Sequence, residues 1–286
     1  MFGECHAHLI MDGKNYKEAV ALHAGEVQDW AIRRHLEEWK EAKVTFVRDG
    51  GDAKGVSLRA KELAPEYGID YRTPAFAIHK KGHYGGIVGL PFEDWREYRD
   101  LVRKVKQQGG SFVKIMISGI MDFGNFGTLS EPGLTEEEIR MMIDIAHDTG
   151  FAVMAHGNGP GPVSAAIGAG VDTLEHGNYL TEEVLHQLAE SETIWIPTLA
   201  PTGNLLGSGR FPDEEVRQIL EQQLQNVSRA FALGAHLGLG SDAGAYLVPH
   251  GQGLLDEYAY MRQAISDEKA LRHSLQEAED KIRQLF

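Results

Sequence analysis

Short apolar, β-prone runs alternate along this chain with longer stretches of helical period, which is the pattern of parallel βαβ units. The runs predict strands near Met1–Cys5, Val44–Asp49, Tyr71–Ile78, Phe112–Ile117, Ala152–His156, Thr173–His176, Thr193–Pro197 and Leu237–Gly240, eight in all. Between them the apolar spacing predicts helices over Val27–Ala42, Gly55–Tyr67, Asp94–Gln108, Thr135–Thr149, Thr181–Ser191 and Asp213–Leu233, while the connection around Gly161–Gly168 is short. Thr135 with Glu138, and Thr181 with the acids behind it, mark helix starts by N-terminal capping. Eight such units in 286 residues fit one (β/α)8 TIM barrel, an α/β fold. A single barrel domain is expected over residues 1–265, with 266–286 as a C-terminal helix packing on the barrel through Leu271, Leu275, Ile282 and Leu285. A homo-oligomer paired through that helix is the competing expectation.

Gly and Pro gather after the strands rather than inside the helices, as in Gly50-Gly51, Gly82 to Gly89, Gly119 to Gly133 and Gly157 to Gly161. In barrels of this kind the loops at the carboxyl ends of the strands build the active site. A formal net charge of −14 excludes a general nucleic-acid or anionic-membrane binder, which needs clustered Lys and Arg. A small-molecule substrate is the remaining partner. The one cysteine, Cys5, makes no internal disulfide and reads as a packed thiol. The N-terminus MFGECHAH has no apolar run of the length that a signal peptide or membrane span requires, so a cytoplasmic location is expected.

The chemistry sits at strand ends. His6-Ala7-His8 closes the first strand, and residues i and i+2 of a strand point to one side, so the two imidazoles can close on one cation. Lys114, His156, His176 and Asp242 follow in order at the tips of later strands. Imidazole and carboxylate suit a divalent ion such as zinc. His6 and His8 with Asp242 would hold one ion, and His156 with His176 a second. Two dications a few ångströms apart repel strongly, so an anion must bridge them. Lys114 shares the inward parity of Phe112 and Met116, where burial favours the neutral amine. A neutral lysine takes up carbon dioxide as a carbamate, which serves as a bridging carboxylate.

These segments, Glu4-Cys5-His6-Ala7-His8-Leu9, Val113-Lys114-Ile115-Met116, Ala155-His156-Gly157, Glu175-His176-Gly177 and Gly240-Ser241-Asp242-Ala243-Gly244, resemble the amidohydrolase superfamily from the first strand to the eighth. The resemblance implies the binuclear site with carboxylated Lys114 as the bridge. The chain is similar to the imidazolonepropionase-like branch that includes prolidase-like dipeptidases, also through Val47-Arg48-Asp49 and the stretch after strand three. That stretch usually carries a Gly-Gly-His-Gly turn and here reads Lys81-Gly82-His83-Tyr84-Gly85. The small β-sandwich usual in that branch is expected to be absent, either in a barrel-only member or in part of a longer parent.

The expected activity is hydrolysis of an amide-type C–N bond by a metal-bridging hydroxide, with Asp242 as the catalytic proton carrier. Zinc is the default, and iron, manganese or cobalt suit the same ligands. A mononuclear deaminase is the nearest rival, but the glutamate it usually carries after the strand-five histidine is missing from Gly157-Asn158-Gly159. Lactone or phosphoester hydrolysis on the same centre and a non-catalytic metal-binding scaffold compete with the amide reading. Lys80, Lys81, His83 and Tyr84, together with Arg48 and His250, would present donors to a substrate carboxylate. A dipeptide, an N-acyl amino acid or a related small amide is therefore expected.

Overall fold

The computed structural model describes residues 2–286, so the Met1 end of the first expected strand lies outside the described residues. The strands are β1 (Glu4–Ala7), β2 (Phe46–Asp49), β3 (Asp70–Arg72), β4 (Ala77–Lys80), β5 (Gly89–Phe92), β6 (Val113–Met116), β7 (Val153–Gly157), β8 (Thr173–His176), β9 (Ile194–Ile196) and β10 (His236–Leu237). The helices are α1 (Tyr16–Leu22), α2 (Asp29–Glu41), α3 (Val56–Leu63), α4 (Trp95–Gln107), α5 (Glu136–Asp148), α6 (Pro160–Gly168), α7 (Glu182–Ala189), α8 (Ala200–Gly203), α9 (Asp213–Leu233), α10 (Gln252–Ala264) and α11 (Glu268–Leu285). All strand pairs are parallel, in sheets of order β1-β2-β3 and β10-β9-β8-β7-β6-β4-β5.

Backbone hydrogen bonds cross both seams between these sheets. Cys5 N donates to Leu239 O at 3.0 Å and Asp242 N to His6 O at 2.8 Å, tying β1 to the segment behind β10. At the other seam Asp52 N donates to Ala75 O at 2.9 Å. The two sheets are compatible with a barrel wall.

Three departures from the periodicity have local causes. The run expected as one strand over Tyr71–Ile78 splits into β3 and β4, because Pro74 has no amide proton and Ala75 takes a left-handed φ of 69°. Strand β5 pairs with β4 outside the expected set. The connection at Gly161–Gly168 is a nine-residue helix, α6, started by Pro160 in a position where no amide is needed. Thr135 and Glu138 make both halves of the capping box on α5, whereas the Thr181 hydroxyl makes no capping bond on α7.

The floor of the strand assembly is apolar. Phe46 of β2, Phe112 just before β6, Met154 of β7 and Ile194 and Ile196 of β9 pack with Ile282 and Phe286 of the C-terminal helical segment, and Phe112 meets Phe286 edge-on at 5.1 Å. Helix α11 buries Leu271, Leu275, Ala278 and Ile282 at helical spacing. No helix of the described residues is long and apolar enough to cross a membrane. The floor leaves the opposite, carboxyl end of the strands for polar side chains.

Candidate metal centre

At that end the strand-tip residues converge. His6 Nε2 lies 3.4 Å and His8 Nε2 3.5 Å from Asp242 Oδ1. One ligand atom from each of the three lies within 4.8 Å of the others. The His176 ring centre is 5.0 Å from that of His6 and 4.7 Å from that of His156, which continues the group across β7 and β8. Lys114 is 1% exposed, and its Nζ has no hydrogen-bond partner. Burial pushes its pKa down to about 8.

Three of the imidazoles are each held by one nitrogen. His6 Nδ1 pairs with Glu175 Oε2 at 2.7 Å. Glu175 resists the upward pull of burial because Arg48 and then His6 hold its pKa down at about 2, so its carboxylate accepts from the His6 Nδ1–H and leaves Nε2 as a lone pair. His156 Nε2 is 3.3 Å from Gly119 O, an acceptor only, and its Nδ1 stays free. His176 Nδ1 is engaged with Thr198 Oγ1 at 2.7 Å. Burial drives the pKa of His8 and of His156 down to about 3, so both are neutral ligands at ordinary pH.

The backbone is shaped to bring these groups together. His176, Thr198 and Asp242 have left-handed φ values of 70°, 49° and 59°, a cost non-glycine residues carry where surrounding structure enforces it. Through that turn the consecutive residues Glu175 and His176 both reach the interior. A Cβ on Gly240 would fall 2.7 Å from His6 N, so only glycine admits the close approach of the eighth segment to β1. Glu4 Oε1 accepts from Ser241 N at 2.8 Å and fixes the residue before Asp242.

The group opens into a cavity of about 630 Å³ lined by His8, Lys114, His156, His176, Asp242 and Tyr84, with a largely apolar outer wall. Tyr84 stands with its ring 4.9 Å from that of His156. The remaining expected substrate contacts lie elsewhere. Arg48 is 0% exposed and spends its guanidinium on Cys5 O, Thr173 Oγ1 and Glu175 Oε1 at 2.7, 2.9 and 2.9 Å, so it is buried between β1, β2 and β8 and tied to the Glu175 that holds His6. His250 is buried against His35 and Trp39, with ring centres 3.9 and 4.8 Å apart, and does not line the cavity. His83 lies outside the cavity lining, 3.5 Å from Glu131, and Lys80 and Lys81 pair with Glu138 and Glu93. The donor cluster expected after strand three is neutralised by acids from other segments.

Sequence reading assigns no role to Thr198 or Asn158 and none to Glu175 beyond its place in a motif. Asn158 Nδ2 donates to Gly119 O at 3.0 Å, and its Oδ1 accepts from Asn178 Nδ2 at 2.8 Å, bracing the loops that carry His156 and His176. Glu175 has one available signal: it shares inward parity with Thr173 directly beside a candidate ligand.

Known proteins share this fold. A Xaa-Pro dipeptidase crystallised with methionine in its active site matches with a TM-score of 0.78 at 22% identity, over 99% of this chain and 75% of that one. Ochratoxinase from Aspergillus niger is 27% identical over 195 residues, covering 65% of this chain and 38% of its own. Its crystal structure matches with a TM-score of 0.72 at 20% identity, over 92% of this chain and 66% of that one. An uncharacterized protein of Mycobacterium tuberculosis is 28% identical over 180 residues, covering 61% of this chain and 47% of its own. The chain thus spans less than half the length of the curated relatives it matches. The amidohydrolase family model matches residues 4–280, from the first strand through most of the last helix. By that match the chain belongs to the amidohydrolase family.

Proposed function

We propose that the protein is a metal-dependent hydrolase that cleaves an amide-type C–N bond, working from the mouth of a closed (β/α)8 barrel of the prolidase-like branch. The observation that carries this is that His6 and His8 meet at Asp242, with His176 and His156 continuing the row ring to ring and a buried, partnerless Lys114 amine lining the same cavity. The free nitrogens fit a metal: His6 Nε2 is buried without a hydrogen-bond partner, which is costly unless a cation takes the lone pair. His6, His8 and Asp242 would hold one divalent ion, His156 and His176 a second, with Lys114 as carbamate between them. Zinc is the default for this donor set. Bound there, the ions supply Lewis-acid polarisation of a carbonyl and water made acidic enough to attack at neutral pH.

The chain's own residues supply the rest. Asp242, whose Oδ1 lies within 3.5 Å of His6 Nε2 and His8 Nε2, would take a proton from the attacking water and return it to the leaving nitrogen. Glu175 and Thr198 keep the His6 and His176 rings aimed. The apolar wall excludes water from the bound amide. A dipeptide, an N-acyl amino acid or a related small amide suits the site, and the names of the relatives ochratoxinase and Xaa-Pro dipeptidase support that class.

The test is a panel of amides, lactones and phosphoesters, run on metal-loaded protein with a chelated control and a metal count on wild type and Lys114→Ala. Amide turnover that vanishes with the metal, and the loss of one of two ions in Lys114→Ala, are expected. Metal-dependent turnover of lactones alone would overturn the amide reading, and one ion in both proteins would overturn the binuclear one.

A further inference from the structure

The outer wall of the cavity carries charge of the wrong sign for this protein. The chain has a formal net charge of −14, yet the cavity lining includes Lys14, Lys17, Lys114 and Arg210 against a single acid, Asp242. Lys114 and Asp242 belong to the proposed metal group, which leaves three cations with nothing to neutralise. Lys17 Nζ lies 6.0 Å from the Tyr16 ring centre, and Lys14, Lys17 and Arg210 form no ion pair among the described residues. Asp12, the nearest acid in sequence to Lys14, spends Oδ1 on the backbone amides of Lys14 and Asn15. On the outer helices, by contrast, Arg59, Arg140 and Arg229 each hold a carboxylate.

Arg210 is also held in place. Its guanidinium lies 4.1 Å from the ring centre of Tyr246 and 5.7 Å from that of Phe211, which in turn packs on Phe123 at 5.5 Å. Stacking fixes the plane of a guanidinium and leaves its N–H edge unoccupied, the geometry that binds a carboxylate through two parallel hydrogen bonds. Phe123, Phe211 and Tyr246 come from the loops after β6, before α9 and after β10, and with Met11, Met121 and Leu205 they make a wide apolar shelf under the cations. Burial of a bulky apolar group on that shelf is favourable in proportion to its area.

We propose that Lys14, Lys17 and Arg210 form an anion-recognition rim, and that the substrate is an amide with a bulky apolar or aromatic body and a carboxylate that docks on Arg210. This rests on the amide-hydrolase reading and sharpens it: short, wholly polar dipeptides leave the shelf empty and are poor substrates. The rim replaces Arg48 and His83, whose donors are spent elsewhere, as the site of charge recognition.

Matched N-aroyl amino acids with a free and an amidated carboxyl group separate the two claims. Metal-loaded wild type should prefer the free acid by about tenfold or more in kcat/KM, the scale of one charge-assisted pair. Arg210→Met should abolish most of that preference, and Lys14→Met with Lys17→Met should reduce it in part. Calorimetric binding of the same two compounds to metal-stripped protein gives a readout that needs no turnover. If the protein binds the acid better than the amide through Arg210 but hydrolyses neither, the rim stands and the amide reading falls. If wild type binds and turns over both alike, or if Arg210→Met keeps the full preference, the rim is overturned.

Discussion

His6 Nδ1 and Glu175 Oε2 stand 2.7 Å apart across 169 residues of sequence, both fully buried, with Arg48 Nη2 2.9 Å from the other carboxylate oxygen. One ion pair thus orients a candidate metal ligand from below. Partners that orient a metal-binding imidazole commonly govern metal affinity by about tenfold to a hundredfold. Glu175→Gln should weaken metal binding by about that factor and, because Arg48 is left as a buried unpaired charge, lower stability by about 3 kcal/mol. Chelator competition and denaturant melts of the metal-free protein read the two effects. A variant with wild-type affinity would show that Glu175 does not position His6.

Lys114 gives a pH dependence with a defined sign. Burial brings its ammonium down to a pKa of about 8 in the folded protein, against 10.5 for the free side chain. Between those values the unfolded chain binds more protons, so the stability of the metal-free protein rises with pH across this window, by on the order of 3 kcal/mol in total. The Lys114→Met variant should lack this rise. Denaturant titrations of both proteins in carbonate-free buffer, from about pH 7.5 to about pH 10.5, check it. Parallel curves would show that the buried ammonium does not set the trend.

Asp242→Asn preserves shape but cannot take up a proton. Turnover of a confirmed substrate should fall by about a hundredfold or more, with little change in thermal midpoint. A near-normal rate in metal-replete variant protein would take the proton-carrying role away from Asp242.

Gly50 tests the packing behind His8. A Cβ there would fall 2.3 Å from His8 Cε1, and that ring cannot move without leaving Asp242. Gly50→Ala should therefore lose metal while keeping the secondary structure. Metal content by mass spectrometry and far-ultraviolet circular dichroism measure both, and full metal occupancy in the variant would contradict the packing argument.

The alternation of strands and helices and the positions of the strand-tip residues are legible in the sequence, because both are local properties. Strand parity dictates which side chains share a face, so Phe112, Lys114 and Met116 read together, as do His6 and His8. Side-chain chemistry then limits what those residues can bind. Which groups remain free is a property of the tertiary fold. Arg48 reads as a substrate contact in sequence, but the fold brings Thr173 and Glu175 of β8, a strand of the other sheet, against its guanidinium, and Glu138 and Glu93 likewise take up Lys80 and Lys81. His250 is a loop histidine by sequence and a packed ring by structure. His176 escapes strand parity through a left-handed φ of 70° that its neighbours enforce. Arg210 carries no sequence signal, since its meaning comes from Tyr246, a residue of another loop. Parity and residue type are written in consecutive positions, but the pairing of donors with acceptors is settled only when distant segments close on one another.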